Sequence, residues 1–263
     1  MSHWVNFRKD RFYLVRYLSI ETLLTLLVLS FQWNNRAADL LTDLTVHWWH
    51  FVLIPVTMIL AIQIPVLIHN CVHRNLRPPV LNLIMGEIAG VFVLLGFAAF
   101  ELNHVAHHTH SDTDLDPHNP KQKKFLPFFL ANNFGGTKVI LFQHLKYHGD
   151  TLFNRGLFHL SVLLHFINVP LRLCFWLFLL GPVSLVLLFL PAYAFHMFVF
   201  AHINYVTHKT YDDGKSEIFN LNHNLYYQFV NFFGSGVYYH KNHHKNPAAY
   251  NPKLGPRKSW LLR

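Results

Sequence analysis

The stretch Trp48–His73, WWHFVLIPVTMILAIQIPVLIHNCVH, carries two messages in one run. Residues 48–68 are apolar and open on a Trp pair, the residue type that gathers at membrane–water interfaces. About 20 such residues cross a bilayer core. The run then ends in His69 and His73, four positions apart. On a helix, that spacing puts both imidazoles on one face. The segment therefore reads as a membrane helix that delivers metal ligands at its end.

Three further segments extend this reading. Residues 12–31 form a first span, too long for a secretory signal and with no small-residue cleavage site after it. Residues 81–100 are apolar but contain Gly86, Glu87, Gly90 and Gly96, and Glu101 follows. Residues 157–201 are too long for one crossing and fit two, with Gly181-Pro182 as the turn. Arg172 sits awkwardly inside that run. The whole chain, 263 residues, is 52% hydrophobic and 13% charged, with a mean hydropathy of +0.23. A soluble domain carries about a quarter charged residues, so an ordinary soluble enzyme is excluded. Two cysteines, Cys71 and Cys174, cannot build a disulfide framework.

The net charge of +9 reports topology, and no nucleic-acid partner is expected. All but two of the 22 Lys and Arg, the exceptions being Arg36 and Arg172, fall in four regions. These are the N-terminus, residues 70–80, residues 103–156 and the part from Asn204 onward. The positive-inside rule puts all four in the cytoplasm. That requires two helical hairpins, with residues 81–100 re-entrant or interfacial. The expected fold is thus an all-α membrane protein of about four transmembrane helices and one non-crossing segment. A helical cytoplasmic cap holds the metal site. It forms a single domain over 1–263, with the stem at about 12–68 and 157–203 and the cap at about 69–156 and 204–263.

Histidine is the unusual residue, with 21 copies. His69 and His73 form one cluster; His104, His107 and His108 a second; His240, His243 and His244 a third. Asn204 and His208, again four apart, make a sparser fourth. Each lies just past an apolar segment, on the side the charges select. His47, His50, His159, His165 and His196 stand alone and read as structural or interfacial. Imidazole binds zinc, iron, copper and nickel. Nine clustered imidazoles exceed what one ion takes and suit two. A carboxylate-bridged di-iron bundle needs two Glu-x-x-His pairs. The chain has four Glu and one such pair, Glu101–His104, so that architecture is excluded. A zinc hydrolase would need a motif such as HExxH, which is absent. A metal transporter would carry ionisable groups within its spans, whereas these clusters lie beyond them.

At these residues the sequence resembles the membrane fatty-acid desaturase family, which uses three histidine boxes around a di-iron centre. His104–Asn119, HVAHHTHSDTDLDPHN, is similar to the second box of stearoyl-CoA desaturases. Asn204 with His208, and residues 234–244, are similar to that subgroup's NxxxH element and third box. The first box departs, having three intervening residues where that subgroup has four. The resemblance implies two Fe ions held by the nine histidines, a metal-bound water held by Asn204, and O2 as co-substrate. It implies desaturation of a long acyl chain on CoA, carrier protein or lipid. A hydroxylase, ketolase or oxidative decarboxylase on the same scaffold is the alternative. No fused cytochrome b5 module is visible, so electrons are expected from a separate donor of ferredoxin or cytochrome b5 type.

Glu101, Asp112, Asp114, Asp116 and His118 are candidates to orient the ligating imidazoles from behind. Asp212, Asp213 and Glu217 read as loop charges. The Phe-rich segments around 125–134 and 226–233 are candidate walls of an apolar channel in contact with the bilayer. The brevity of the chain favours a bacterial inner membrane over the endoplasmic reticulum.

Overall fold

The computed structural model describes residues 2–121, 123–211, 213 and 215–254. The side chain of Arg36, Asp212 and the basic residues beyond 254 lie outside the described residues. The described residues are mostly helical: α1 His3–Lys9, α2 Tyr13–Gln32, α3 Ala38–Thr42, α4 Trp48–Val72, α5 Val80–Phe92, α6 Phe97–Thr109, α7 Phe125–Phe134, α8 Thr137–His148, α9 Leu152–Ser184, α10 Leu190–Thr207, α11 Leu225–Phe233 and α12 His240–Lys245. Short π-helical turns join α2 to α3 and α9 to α10. The all-α expectation misses one small ribbon, in which β1 His208–Thr210 pairs antiparallel with β2 Ser216–Ile218.

Three helices are long and apolar enough to cross a membrane: 13–35, 48–72 and 152–207. The count rises to five if each of two bent pairs, α5–α6 and α7–α8, is one span. The last run, of 56 residues, would extend about 84 Å if straight, far beyond a hydrocarbon core of about 30 Å. It is not straight. Gly181 takes φ 77°, ψ 164°, open to glycine and costly for other residues. Trp176 and Phe189 stack with ring centroids 5.0 Å apart, where a straight helix would hold them about 20 Å apart. The chain therefore doubles back at the predicted Gly181-Pro182 turn.

Cross-contacts fix the helix directions. Phe12 meets Phe153, Thr22 donates to Asn168 Oδ1, and Gln32 donates to the Phe175 carbonyl. So α2 and α9 run parallel. His50 meets Ser184 near the start of α4, and Ile62 shares a core with Val199. So α4 and α10 also run parallel, in the return direction. All the chain ends that carry histidine clusters thus gather at one end of the bundle, while Leu40 lies beside Gly181 at the other.

Helices α5 and α6 meet at 100°. The glycines flagged in the sequence make this reversal. A Cβ on Gly86 would stand 2.5 Å from the Phe97 ring, and one on Gly90 would stand 2.9 Å from the Leu95 carbonyl. At the apex Leu94 has a positive φ of 55°. Its carbonyl accepts from Arg172 Nη1 at 3.1 Å, and the Val91 carbonyl accepts from Trp176 Nε1 at 3.1 Å. Arg172, awkward in the sequence, is thereby explained. It satisfies non-helical backbone at bundle depth, and Glu21 balances its charge. Both ends of the pair lie at the histidine end: Asn82 bonds Leu76, and His104 meets His73.

Arg172 is 1% exposed, so Arg172→Leu strands the Glu21 carboxylate. We expect a loss of about 3–5 kcal/mol. The Glu21→Leu/Arg172→Leu double variant should recover most of it. Thermal unfolding in detergent checks both, and an unchanged midpoint for the single variant would refute the role of the pair.

Candidate metal centre

Helix geometry sorts the histidines before any metal is considered. His69 ends α4 and His73 caps it, one turn apart. In α6, His104 and His108 share a face while His107 points to the neighbouring one. In α12, His240 and His244 share a face and His243 points to the neighbouring one. The two HxxHH motifs therefore interlock. His69, His73, His104, His108 and His243 form one group, and His107, His208, His240 and His244 form the other. Within each group the ligand atoms all lie within 4.8 Å of one another.

The nitrogens that converge are Nε2. His73 and His104 are 2.8 Å apart, His104 and His108 3.0 Å, and His108 and His243 3.0 Å. In the second group, His208 and His240 are 3.0 Å apart, and His240 and His244 3.1 Å. Neutral imidazoles can satisfy such contacts only pairwise, yet each group brings four or five together. Bonds of about 2.0–2.1 Å from nitrogen to a shared ion put neighbouring ligands about 3 Å apart. The donor set fits a metal in each group.

Burial keeps most of these imidazoles in their ligating form. It pushes His240 and His243 well below the ordinary imidazole range, and His73 and His244 down to about 2. Two of the remaining ring nitrogens are held from outside. His107 Nδ1 lies 2.8 Å from Asp116, and His208 Nδ1 lies 2.9 Å from Asp112. Asp116 also accepts from the backbone N–H groups of Asp112 and His118. One buried carboxylate thus fixes the loop and an imidazole together. Asp112 takes φ 63°, a conformation Asp tolerates better than most residues.

The other candidates fare differently. His118 is buried, with Nδ1 2.8 Å from Asn132 Oδ1, and stands edge-on to His107. Asn204 is buried in the wall of the adjoining cavity, its Nδ2 given to the Phe200 carbonyl. Glu101 touches no imidazole. Its carboxylate accepts from Arg74 at 2.7 Å, from the Trp4 backbone and from the Ser2 hydroxyl. It therefore ties α1 to the turn after His73. Asp114 is exposed and pairs with Lys121. Asp213 and Glu217 pair with Lys215 and Lys241, as loop charges do. Sequence reasoning missed α1 and Asn132, because nothing near them in the chain announces a partner.

A cavity adjoins the histidines, bordered by His69, His104, His240 and His243. Its apolar wall comes from α4, α10 and Phe100, with Gly234–Val237. Neither Phe-rich segment lines it. Phe125 and Phe128 pack against Tyr205 instead.

An apolar helix bundle with paired polyhistidine groups at one end has the make-up of a membrane protein able to hold two metal ions. Over residues 46–262 the chain matches the fatty acid desaturase family, and it belongs to that family. No curated protein and no solved structure matches it significantly.

Two outcomes follow. Asp116→Asn removes the carboxylate behind His107 and should weaken metal binding about 10–100-fold, read by chelator competition. Unchanged affinity would remove Asp116 from the centre. In metal-free protein the buried histidines stay neutral while the unfolded chain protonates them near pH 6.5. The unfolded state then binds more protons as pH falls, so stability drops from pH 7 toward pH 5. The thermal midpoint of chelated protein should fall across that window, and a flat profile would contradict it.

Proposed function

We propose that this chain is an oxygen-dependent di-iron desaturase that introduces a double bond into a long fatty acyl chain. The observation that supports this most strongly is the sorting of nine imidazoles into two facing groups beside an apolar cavity. In this reading His69, His73, His104, His108 and His243 hold one iron, and His107, His208, His240 and His244 hold the other. Imidazole alone does not choose iron; the family membership favours it. Bound there, two irons would supply oxidation of C–H bonds, the acyl chain losing two hydrogens while O2, two donor electrons and two protons become two waters.

The protein's own groups do the rest. Asp112 and Asp116 hold His208 and His107 with Nε2 aimed inward. Asn204 orients a water from the cavity wall. Phe100, Phe200 and Val199 present an apolar surface that aligns the acyl chain and excludes bulk water. The stem makes four crossings in two hairpins, and α5–α6 enters and leaves on one side. A helical cap carries the centre on the cytoplasmic face, following the basic residues. Electrons come from a separate protein of ferredoxin or cytochrome b5 type, in a bacterial inner membrane.

Mass spectrometry of acyl products from membranes expressing the chain tests this. Loss of two hydrogens is expected, and its position reports the carbon presented to the histidines. Gain of one oxygen without desaturation would overturn the reading in favour of a hydroxylase. His107→Ala and His243→Ala should abolish turnover and lower bound iron, and full iron with full activity would sink the assignment.

A further inference from the structure

Two cavities lie inside the bundle. Beyond the one at the histidines lies a second, walled by Phe92, Trp176, Leu180 and Phe189. Pro65 and His196 border both, so the cavities lie side by side with these two residues between them. Along α10, His196 lies about 12 Å deeper in the bundle than Asn204. The two spaces thus follow one another from the histidine end into the apolar interior.

The deeper one is lined almost wholly by carbon. The Thr57 hydroxyl is given to the Ile54 carbonyl, which leaves Tyr193 and His196 as the polar groups able to meet a guest. The His196 ring has no hydrogen-bond partner among the described residues, and its Nδ1 is fully covered. His50 is matched by Ser184, His118 by Asn132 and His202 by Tyr238; His144 Nε2 and His165 Nδ1 are also covered without a partner among the described residues, but of these unmatched rings His196 is the one that borders the cavities. A neutral imidazole offers one donor and one acceptor, and leaving them unmatched in an apolar space is unfavourable. A plain methylene chain would leave them so.

We infer that the acyl chain lodged here carries a hydroxyl or carbonyl oxygen remote from the carbon presented to the histidines, and that His196 hydrogen-bonds that oxygen. The ligand class rests on the acyl-chain reading above. A polar group placed to bond one substrate oxygen discriminates strongly against a chain that lacks it.

The test uses the full chain in lipid nanodiscs, with Trp176 as reporter because it walls the deep cavity. Dibromostearate should quench wild-type fluorescence, and Trp176→Phe should remove the share of that quenching which Trp176 carries, the lipid-accessible Trp33, Trp48 and Trp49 keeping the rest. Stearate is then compared, as a displacing ligand, with hydroxy- and ketostearates whose oxygen is moved along the chain. One oxygen position, or two adjacent ones, should displace the probe at roughly tenfold lower concentration than stearate. His196→Phe should erase that preference, and His196→Asn should keep part of it. Retained quenching by dibromostearate shows that the variants are folded. Absence of Trp176 quenching, no preferred oxygen position, or a preference that survives His196→Phe would each overturn the inference. Neither metal nor turnover enters these readouts, so failure here and failure of the di-iron reading are told apart.

Discussion

A turn of backbone buried at bundle depth needs donors for carbonyls that no helix satisfies, and Arg172 supplies one at the apex of α5–α6. Its guanidinium reaches the Leu94 carbonyl and Glu21 at once, while Trp176 serves the Val91 carbonyl. The charge is costly to hold there without its partner. With that contact made, α6 can turn back toward the end it came from. His104, His107 and His108 then face His73 and the histidines of α12. A straight continuation of α5 would carry them away. The metal centre therefore depends on an ion pair buried well below it.

The centre itself follows from helical spacing used twice. In HxxHH all three histidines lie on one broad side of the helix, the first and last flanking one line and the middle one turned to the other edge. In α6 that motif gives two ligands to the first group and one to the second; in α12 the division is reversed. Each helix thus contributes to both groups, and neither group forms unless both helices are docked. Separate anchors hold the pieces in register: Asp116 behind α6, Asp112 behind His208, and Glu101 between α1 and Arg74. The desolvation that keeps the imidazoles neutral comes from the same packing.

Features whose physics is local were legible in the sequence. The spacing of His69 with His73 and of His240 with His244 declares a shared helical face, and Gly181-Pro182 declares a reversal. Arg172 was visible as an anomaly. Its explanation was not, because Glu21 and Leu94 are distant in sequence and only the folded bundle brings them together. Glu101 misled for the opposite reason. Its place one turn before His104 suggests an imidazole partner, yet its carboxylate is turned toward Arg74 and the N-terminal helix. The Phe-rich segments misled because composition marks burial without saying against what. The cavity walls come instead from α4 and α10, whose apolar residues the sequence assigns simply to spans.

The apex that turns α6 also shapes the deep cavity. Trp176 donates to the Val91 carbonyl and walls that space, and Phe92 and Val93 of the same turn line it. A shift of the apex therefore moves two things together: the ligands on α6 and the depth available to a chain lying past His196. Helix α4 makes the same link on the opposite side, with Pro65 between the two cavities and His69 one turn later in the first histidine group. Under the proposed function, one rigid set of contacts would thus set both the carbon presented to the histidine groups and the length of chain lodged below them. Position along the chain is measured from the bundle interior as much as from the polar end.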